Sequence, residues 1–223
     1  MDNIQSKAEQ LKSYVDTLKD FVIVIPNVPY NHMGATITDA ILQAGLKWST
    51  VVKPRLDRLK NEYPEAKTTD SFQRTIEKVG IKILIDWKDS EKPDRIVRLT
   101  MLFLKEGIET EADLKTWLGH PANIQKLERI KGIGNKTVDY LKWLSGIPTA
   151  AVDIHLFRFL ELAGIYTKDY FEAKEIINRT ADLRGLNRTV FDHSIWKYMS
   201  EGKKGKPCEQ PIMRLNRTKH NNR

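Results

Sequence analysis

The sequence predicts an all-α fold, and three observations carry that expectation. Apolar residues recur at helical spacing in one segment after another, from Ile4 to Met199. Proline and glycine fall mainly between those segments, where they break helices. Only Phe21–Ile25 and Ile81–Ile85 have strand-like composition, and both are short. Roughly ten helices are expected, about the number that 11–12 residues per helix would allow with loops.

The chain has 223 residues, enough for one large domain or two small ones with a proper core. Its net charge of +8 and pI near 9.4 favour a polyanionic partner without separating DNA from RNA. A single cysteine excludes a disulfide framework and suggests an intracellular protein. No apolar run approaches the ~20 residues that span a bilayer, so no membrane partner is expected. The first residues, Met1 to Gln5, lack signal-peptide character. Three Asn-Arg-Thr triplets, at 178, 187 and 216, are therefore coincidental matches to a glycosylation pattern.

Ile4 to Lys19 reads as an amphipathic helix with Leu11, Tyr14, Val15 and Leu18 on one face. Phe21–Ile25, stopped by Pro26 and Pro29, is expected to be a short extended segment packed under the helices. Thr36 or Thr38 is expected to cap a helix carrying Ile37, Ile41 and Leu42, interrupted at Gly45. Trp48 to Leu59 follows as a helix with Pro54 near its first turn. Thr69 or Asp70 opens the next, through Val79. Ile81–Ile85 is locally strand-like between helical neighbours. Glu91 to Leu104 turns Ile96, Leu99, Leu102 and Phe103 inward. Thr110 and Asp113 resemble a capping box that opens a short helix through Trp117, and Gly119-His120-Pro121 breaks the chain again.

Between Leu127 and Leu144 stands the most informative stretch. Leu127 and Ile130 lead into Gly132-Ile133-Gly134, and apolar spacing resumes at Val138, Leu141 and Leu144. This is the pattern of a helix-hairpin-helix. The two glycines are expected to permit backbone conformations that a side chain would forbid, with Ile133 plugging the turn into the core. The open N–H groups of the second helix then suit a phosphate, so Lys131, Gly132, Ile133, Gly134, Asn135 and Thr137 are the candidate DNA contacts.

The segments Gly132-Ile133-Gly134-Asn135-Lys136-Thr137 and Ala151-Val152-Asp153-Ile154-His155-Leu156-Phe157-Arg158 together resemble the active-site segment of the endonuclease III family of DNA glycosylases. The resemblance extends over roughly Thr36 to Met199 and is at motif level between Leu127 and Arg158. It implies two helical lobes with the hairpin at their junction. Residues 36–147 would form a six-helix barrel domain, and residues 1–35 with 148–223 a second lobe ending in a basic tail. It also implies that Lys136 is the nucleophile, that Asp153 stabilises positive charge and accepts a proton, and that Glu128 supports them.

The chain length suits that pairing. A helix from Asn135 to Ser145 is about 15 Å long at ~1.5 Å per residue. Gly146 suits its end, Pro148 does not continue it, and Ile147 to Val152 in extended form covers up to about 20 Å. The chain can thus return alongside the helix and bring Asp153 back to Lys136. Read singly, Lys136 is a first-turn lysine on a phosphate and Asp153 a helix N-cap. Found together in this segment, they favour catalysis.

Two features depart from the family. Endonuclease III carries four cysteines that bind an iron–sulfur cluster, whereas only Cys208 stands near that place here. No iron–sulfur cluster or other cofactor is expected. The family's gap-filling glutamine is replaced around Gly45-Leu46-Lys47-Trp48, which implies a different wedge residue. His155 is expected to face solvent or backbone, and Trp87, Trp117, Trp143 and Trp196 to serve in packing. The Lys203–Arg223 tail is polar and basic.

The resemblance implies a glycosylase that flips a base out of duplex DNA carrying a lesion, mismatch or abasic site, with AP lyase activity through a Lys136 Schiff base. A monofunctional glycosylase using Asp153 and water, and a non-catalytic DNA-binding module, are the alternatives. A monomer is expected. The sequence does not name the excised base.

Overall fold

The computed structural model describes residues 3–201, and within them every regular element is helical. The basic tail and Cys208 lie outside the described residues. No helix among those described is long and apolar enough to cross a membrane.

Twelve α-helices are described: α1 (Asn3–Thr17), α2 (Met33–Leu42), α3 (Lys53–Glu62), α4 (Thr69–Val79), α5 (Ile81–Leu84), α6 (Glu91–Lys105), α7 (Glu111–Leu118), α8 (Pro121–Glu128), α9 (Asn135–Leu144), α10 (Ile154–Leu162), α11 (Tyr170–Leu183) and α12 (Arg188–Glu201). Their buried apolar side chains form two clusters. One draws on residues from Met33 to Leu144. The other joins Leu11 and Val15 of α1 to residues from Ala150 to Ile195.

Helix α2 is the axis of the first cluster. All ten of its residues are buried, and it packs on α3, α4, α6 and α9. A helix surrounded on every side has no polar face to spare, which makes its polar residues informative. Gly34 lets α4 approach closely: a Cβ there would stand 2.7 Å from the Phe72 ring.

The start of α2 corrects the expected cap. Neither Thr36 nor Thr38 caps it; both lie inside the helix and are buried. His32 Nδ1 accepts from the Ala35 N–H at 3.1 Å, and the buried Glu111 carboxylate accepts from the His32 N–H and the Thr36 hydroxyl, both at 2.8 Å. An acceptor imidazole and a carboxylate from α7 together satisfy the open helix end, where the dipole favours negative charge.

A single wide π-helical turn, Trp48–Val52, precedes α3. Pro54 lacks an N–H, and its ring would collide with the carbonyl of Thr50 in a normal helix; the wider turn relieves both problems. Ile81–Ile85 is not a strand. Ile81, Leu84 and Ile85 face the core while Ile83 is exposed, a one-face pattern of a helical turn rather than strand alternation. Phe21–Ile25 carries no regular structure and is not packed under the helices as a whole: Val22, Ile23 and Ile25 are exposed, whereas Phe21 packs on Phe159, Phe191 and Tyr198. The predicted box at Thr110 forms, with Thr110 Oγ1 accepting from the Asp113 N–H and the Asp113 carboxylate accepting from the Thr110 N–H.

Candidate active site

Helices α8 and α9 and the intervening turn form the predicted hairpin. Ile133 is buried in the first cluster, so it does plug the turn. Gly132 adopts φ +90°, a conformation that favours glycine, and a Cβ there would meet the Arg95 guanidinium at 2.2 Å. Arg95 Nε donates to the Lys131 carbonyl at 2.9 Å, which pins the turn to α6. Gly134 is a correction: its φ is −123°, which any residue adopts, and a Cβ would have open space. That space lies in front of the first turn of α9, whose N–H groups receive no side-chain cap.

The candidate DNA contacts divide accordingly. Lys131, Gly132 and Gly134 are exposed and Asn135 is half-buried. The Thr137 side chain is buried, so that residue offers backbone and not hydroxyl to a partner. Beside the turn, Arg95, Arg98 and Lys131 line a hollow of about 160 Å³ together with Glu91 and Asp94.

Lys136 does not project outward as a phosphate-contacting lysine would. Its Nζ donates to Gln43 Oε1 at the end of α2 and lies 5.3 Å from the centre of the Tyr140 ring. Burial lowers its pKa, an effect opposed by Asp153, Asp192 and Asp39. Desolvation wins here because it acts on the ammonium itself, while burial lifts two of the three acids above the ordinary carboxylate range, Asp192 far enough to stay mostly protonated at neutral pH.

Those two acids were not legible in the sequence. Asp39, fully buried on α2, accepts from the Tyr30 and Tyr140 hydroxyls, both at 2.9 Å on Oδ2. Burial pushes its carboxyl up to about 6. Burial also raises the phenols of Tyr30 and Tyr140, so both remain hydrogen-bond donors. Asp192, buried on α12, accepts from the Ala151 N–H at 2.6 Å. Its carboxyl is pushed up to about 8, by burial first and then by the neighbouring Asp153.

Asp153 arrives as the chain geometry predicts. Residues 147–153 carry no regular structure between α9 and α10. No strand is present among the described residues to satisfy this stretch; side chains of α11 and α12 do. The Ala150 N–H donates to Asn178 Oδ1 at 2.9 Å, the Ala151 N–H to Asp192, and the Thr149 N–H to Thr189 Oγ1 at 3.3 Å. Asp153 then caps α10, with Oδ1 accepting from the N–H groups of His155 at 2.8 Å and Leu156 at 3.2 Å. Both cap bonds use one oxygen, and the carboxylate still acts electrostatically on Lys136. Its two readings, cap and charge partner, are compatible.

Glu128 is exposed at the end of α8, and the acids acting most strongly on Lys136 are Asp153, Asp192 and Asp39 instead. The structure thus brings Lys136 and Asp153 together and leaves Glu128 aside.

Around this centre, α9 is tied to the second cluster. Asp139, one turn beyond Lys136, is buried, pairs with Lys174 at 2.7 Å and accepts from the Tyr170 hydroxyl at 2.9 Å. An aromatic row runs from Tyr140 through Trp143 and His193 to Trp196, which meets Trp48 edge-on at 6.4 Å. His155 joins it, its ring edge-on to Trp196 at 6.5 Å, and so does not face solvent or backbone alone. The tryptophans expected to pack do so: Trp117 and Trp143 are buried, and Trp87 and Trp196 are partly buried against the first and second clusters.

The chain matches no protein-family model, no curated protein and no solved structure.

Proposed function

We propose that this protein is a DNA glycosylase with AP lyase activity, built in the manner of the endonuclease III family, with Lys136 as nucleophile. One observation carries the proposal. A lysine in the first turn of the second hairpin helix is withdrawn from solvent, its pKa lowered by burial, and the return segment after that helix sets Asp153 within electrostatic reach of it.

The chemistry needs each part. Breaking an N-glycosidic bond builds positive charge at C1′, and a carboxylate close by stabilises that charge in a low-dielectric site. The neutral Lys136 amine gives its lone pair to C1′ while the base departs with the bonding electrons. Loss of the amine proton, which Asp153 accepts, and opening of the sugar ring yield a Schiff base. Removal of a C2′ proton then expels the 3′ phosphate, and water releases the lysine. A lysine must be deprotonated to begin this, and a burial-lowered pKa favours that state.

The hairpin supplies the grip on DNA in this reading. Uncapped N–H groups at α9, the exposed Lys131 and the open space before Gly134 suit one phosphate, and the overall charge of +8 favours the duplex as a whole. Duplex DNA carrying a lesion, mismatch or abasic site is the proposed partner.

Incubation with an end-labelled duplex containing one abasic site tests this. The expected product is a strand cut 3′ to the site by β-elimination, absent with Lys136→Gln. Base release without strand cutting would favour the monofunctional reading through Asp153 and water. Binding with neither reaction, over a wide set of lesions, would leave a DNA-binding module.

A further inference from the structure

Helix α2 and its C-cap carry three buried side-chain atoms without a hydrogen-bond partner, Thr38 Oγ1, Asp39 Oδ1 and Gln43 Nε2, and the last two lie one turn apart near Lys136. Asp39 Oδ2 takes both tyrosine hydroxyls, while Oδ1, in a fully buried residue, has no hydrogen-bond partner. One helical turn later, the Lys136 amine fixes the orientation of the Gln43 carboxamide, because only its oxygen can accept. Gln43 Nε2 is thereby directed elsewhere, and it too is buried without a partner. A buried polar group left unpaired loses its hydration with no bond to replace it. Two such groups at i and i+4 share one helix face, and both adjoin the amine proposed to attack C1′. Packing within the protein leaves both without a partner. A bound ligand would complete both bonds.

We propose that Asp39 Oδ1 and Gln43 Nε2 read the edge of the extruded base, as acceptor and donor respectively. The inference rests on the glycosylase reading of Lys136 and deepens it by naming a substrate class. The accepted base is a heterocycle that offers an N–H donor beside a carbonyl or ring-nitrogen acceptor on one edge. Tyr30 and Tyr140 hold Asp39 in register by occupying its other oxygen. Gln43 works at two ends: its oxygen places the Lys136 amine and its nitrogen meets the base.

An abasic site has no edge to read, and that separates recognition from the later elimination. Single-turnover rates are measured for base release over a panel of lesion and mismatch duplexes, and for β-elimination at a preformed abasic site. Wild type is compared with Asp39→Asn and Gln43→Met. Asn preserves the shape and an oxygen for the tyrosines, but turns the free acceptor into a donor. For the best wild-type substrate, the ratio of base release to elimination is expected to fall about 10- to 100-fold in each variant, the size of one bidentate base contact. Gln43→Met carries the test alone if Asp39→Asn does not fold. A ratio unchanged in the folded variants overturns the inference, as does a wild-type enzyme that eliminates at abasic sites yet releases no base from the panel. A wild type without elimination at abasic sites contradicts the lyase reading beneath it instead.

Discussion

The Lys136 amine donates a hydrogen bond to the side-chain oxygen of Gln43, 93 positions earlier in the chain. That bond joins the first turn of α9 to the end of α2, and it sets Lys136 beside the buried carboxyl of Asp39. The amine feels burial and three acids at once, and the acids do not act equally. With its carboxyl at about 8, Asp192 is mostly protonated at neutral pH, so its pull on Lys136 fades there. Asp39, at about 6, is mostly ionised.

The two hairpin glycines separate cleanly. Gly132→Ala forces a side chain into φ +90° against Arg95, and a loss of roughly 1–3 kcal/mol in denaturant unfolding is expected. Gly134→Ala meets no neighbour and no unfavourable φ. Its stability should stay within about 1 kcal/mol of wild type, while DNA affinity drops because a methyl group enters the phosphate's approach. Equal stability losses in the two variants would contradict this account.

Burial of Asp192 gives a signed dependence on pH. Its folded-state pKa, about 8, lies above the ordinary 3.8. The group therefore stabilises the fold fully below about pH 4, and that contribution is lost as pH rises towards 8. Asp192→Asn keeps an acceptor for the Ala151 N–H but does not titrate. Its Tm relative to wild type should climb between pH 4 and 8 and level off above. A difference independent of pH would show that Asp192 is not held protonated.

Asn178 acts at a distance from the chemistry. Its side chain is buried and accepts from the Ala150 N–H, so Asn178→Ala leaves that N–H unpaired at a cost of about 1–3 kcal/mol. Base release should fall as well, because the return segment that carries Asp153 loses one of its ties. Lost stability with unchanged base release at a temperature where the variant is folded would mean that Asp192 and Thr189 suffice to hold it.

Lys131 stands exposed at the turn, with its carbonyl held by Arg95. Lys131→Ala should weaken binding to all duplexes alike and reduce the slope of log affinity against log salt by about one. A loss confined to one lesion type would assign Lys131 to base reading instead of phosphate contact.

Much of the fold was legible because helices announce themselves by spacing. The cap and box at Thr110–Asp113, the hairpin plug Ile133 and the Asp153 cap of α10 all follow from local chemistry. Where the sequence misled, a distant partner decided. Ile81–Ile85 has strand composition, but a core on one side of it selects the helical face. The cap of α2 is a histidine assisted by Glu111, which no local rule assigns. Within the site, Lys136 and Asp153 were readable from a motif, whereas Asp39, Gln43 and Asp192 were not. Each is an ordinary polar residue in an apolar helix, and only the packing of α2 and α12 beside α9 and the return segment gives them meaning. A polar pair at Asp39 and Gln43, one turn apart along a segment that Ile37, Ile41 and Leu42 mark as core, was the available signal.

In the proposed reaction the Lys136 amine becomes covalently bound to the sugar. Borohydride reduction during reaction with a duplex carrying one abasic site, followed by proteolysis and mass spectrometry, tests it at the atom concerned. One major adduct is expected, on the peptide containing Lys136, and it is lost in Lys136→Gln. Strand cutting with the adduct on another amine, or trapping undiminished in Lys136→Gln, would contradict it.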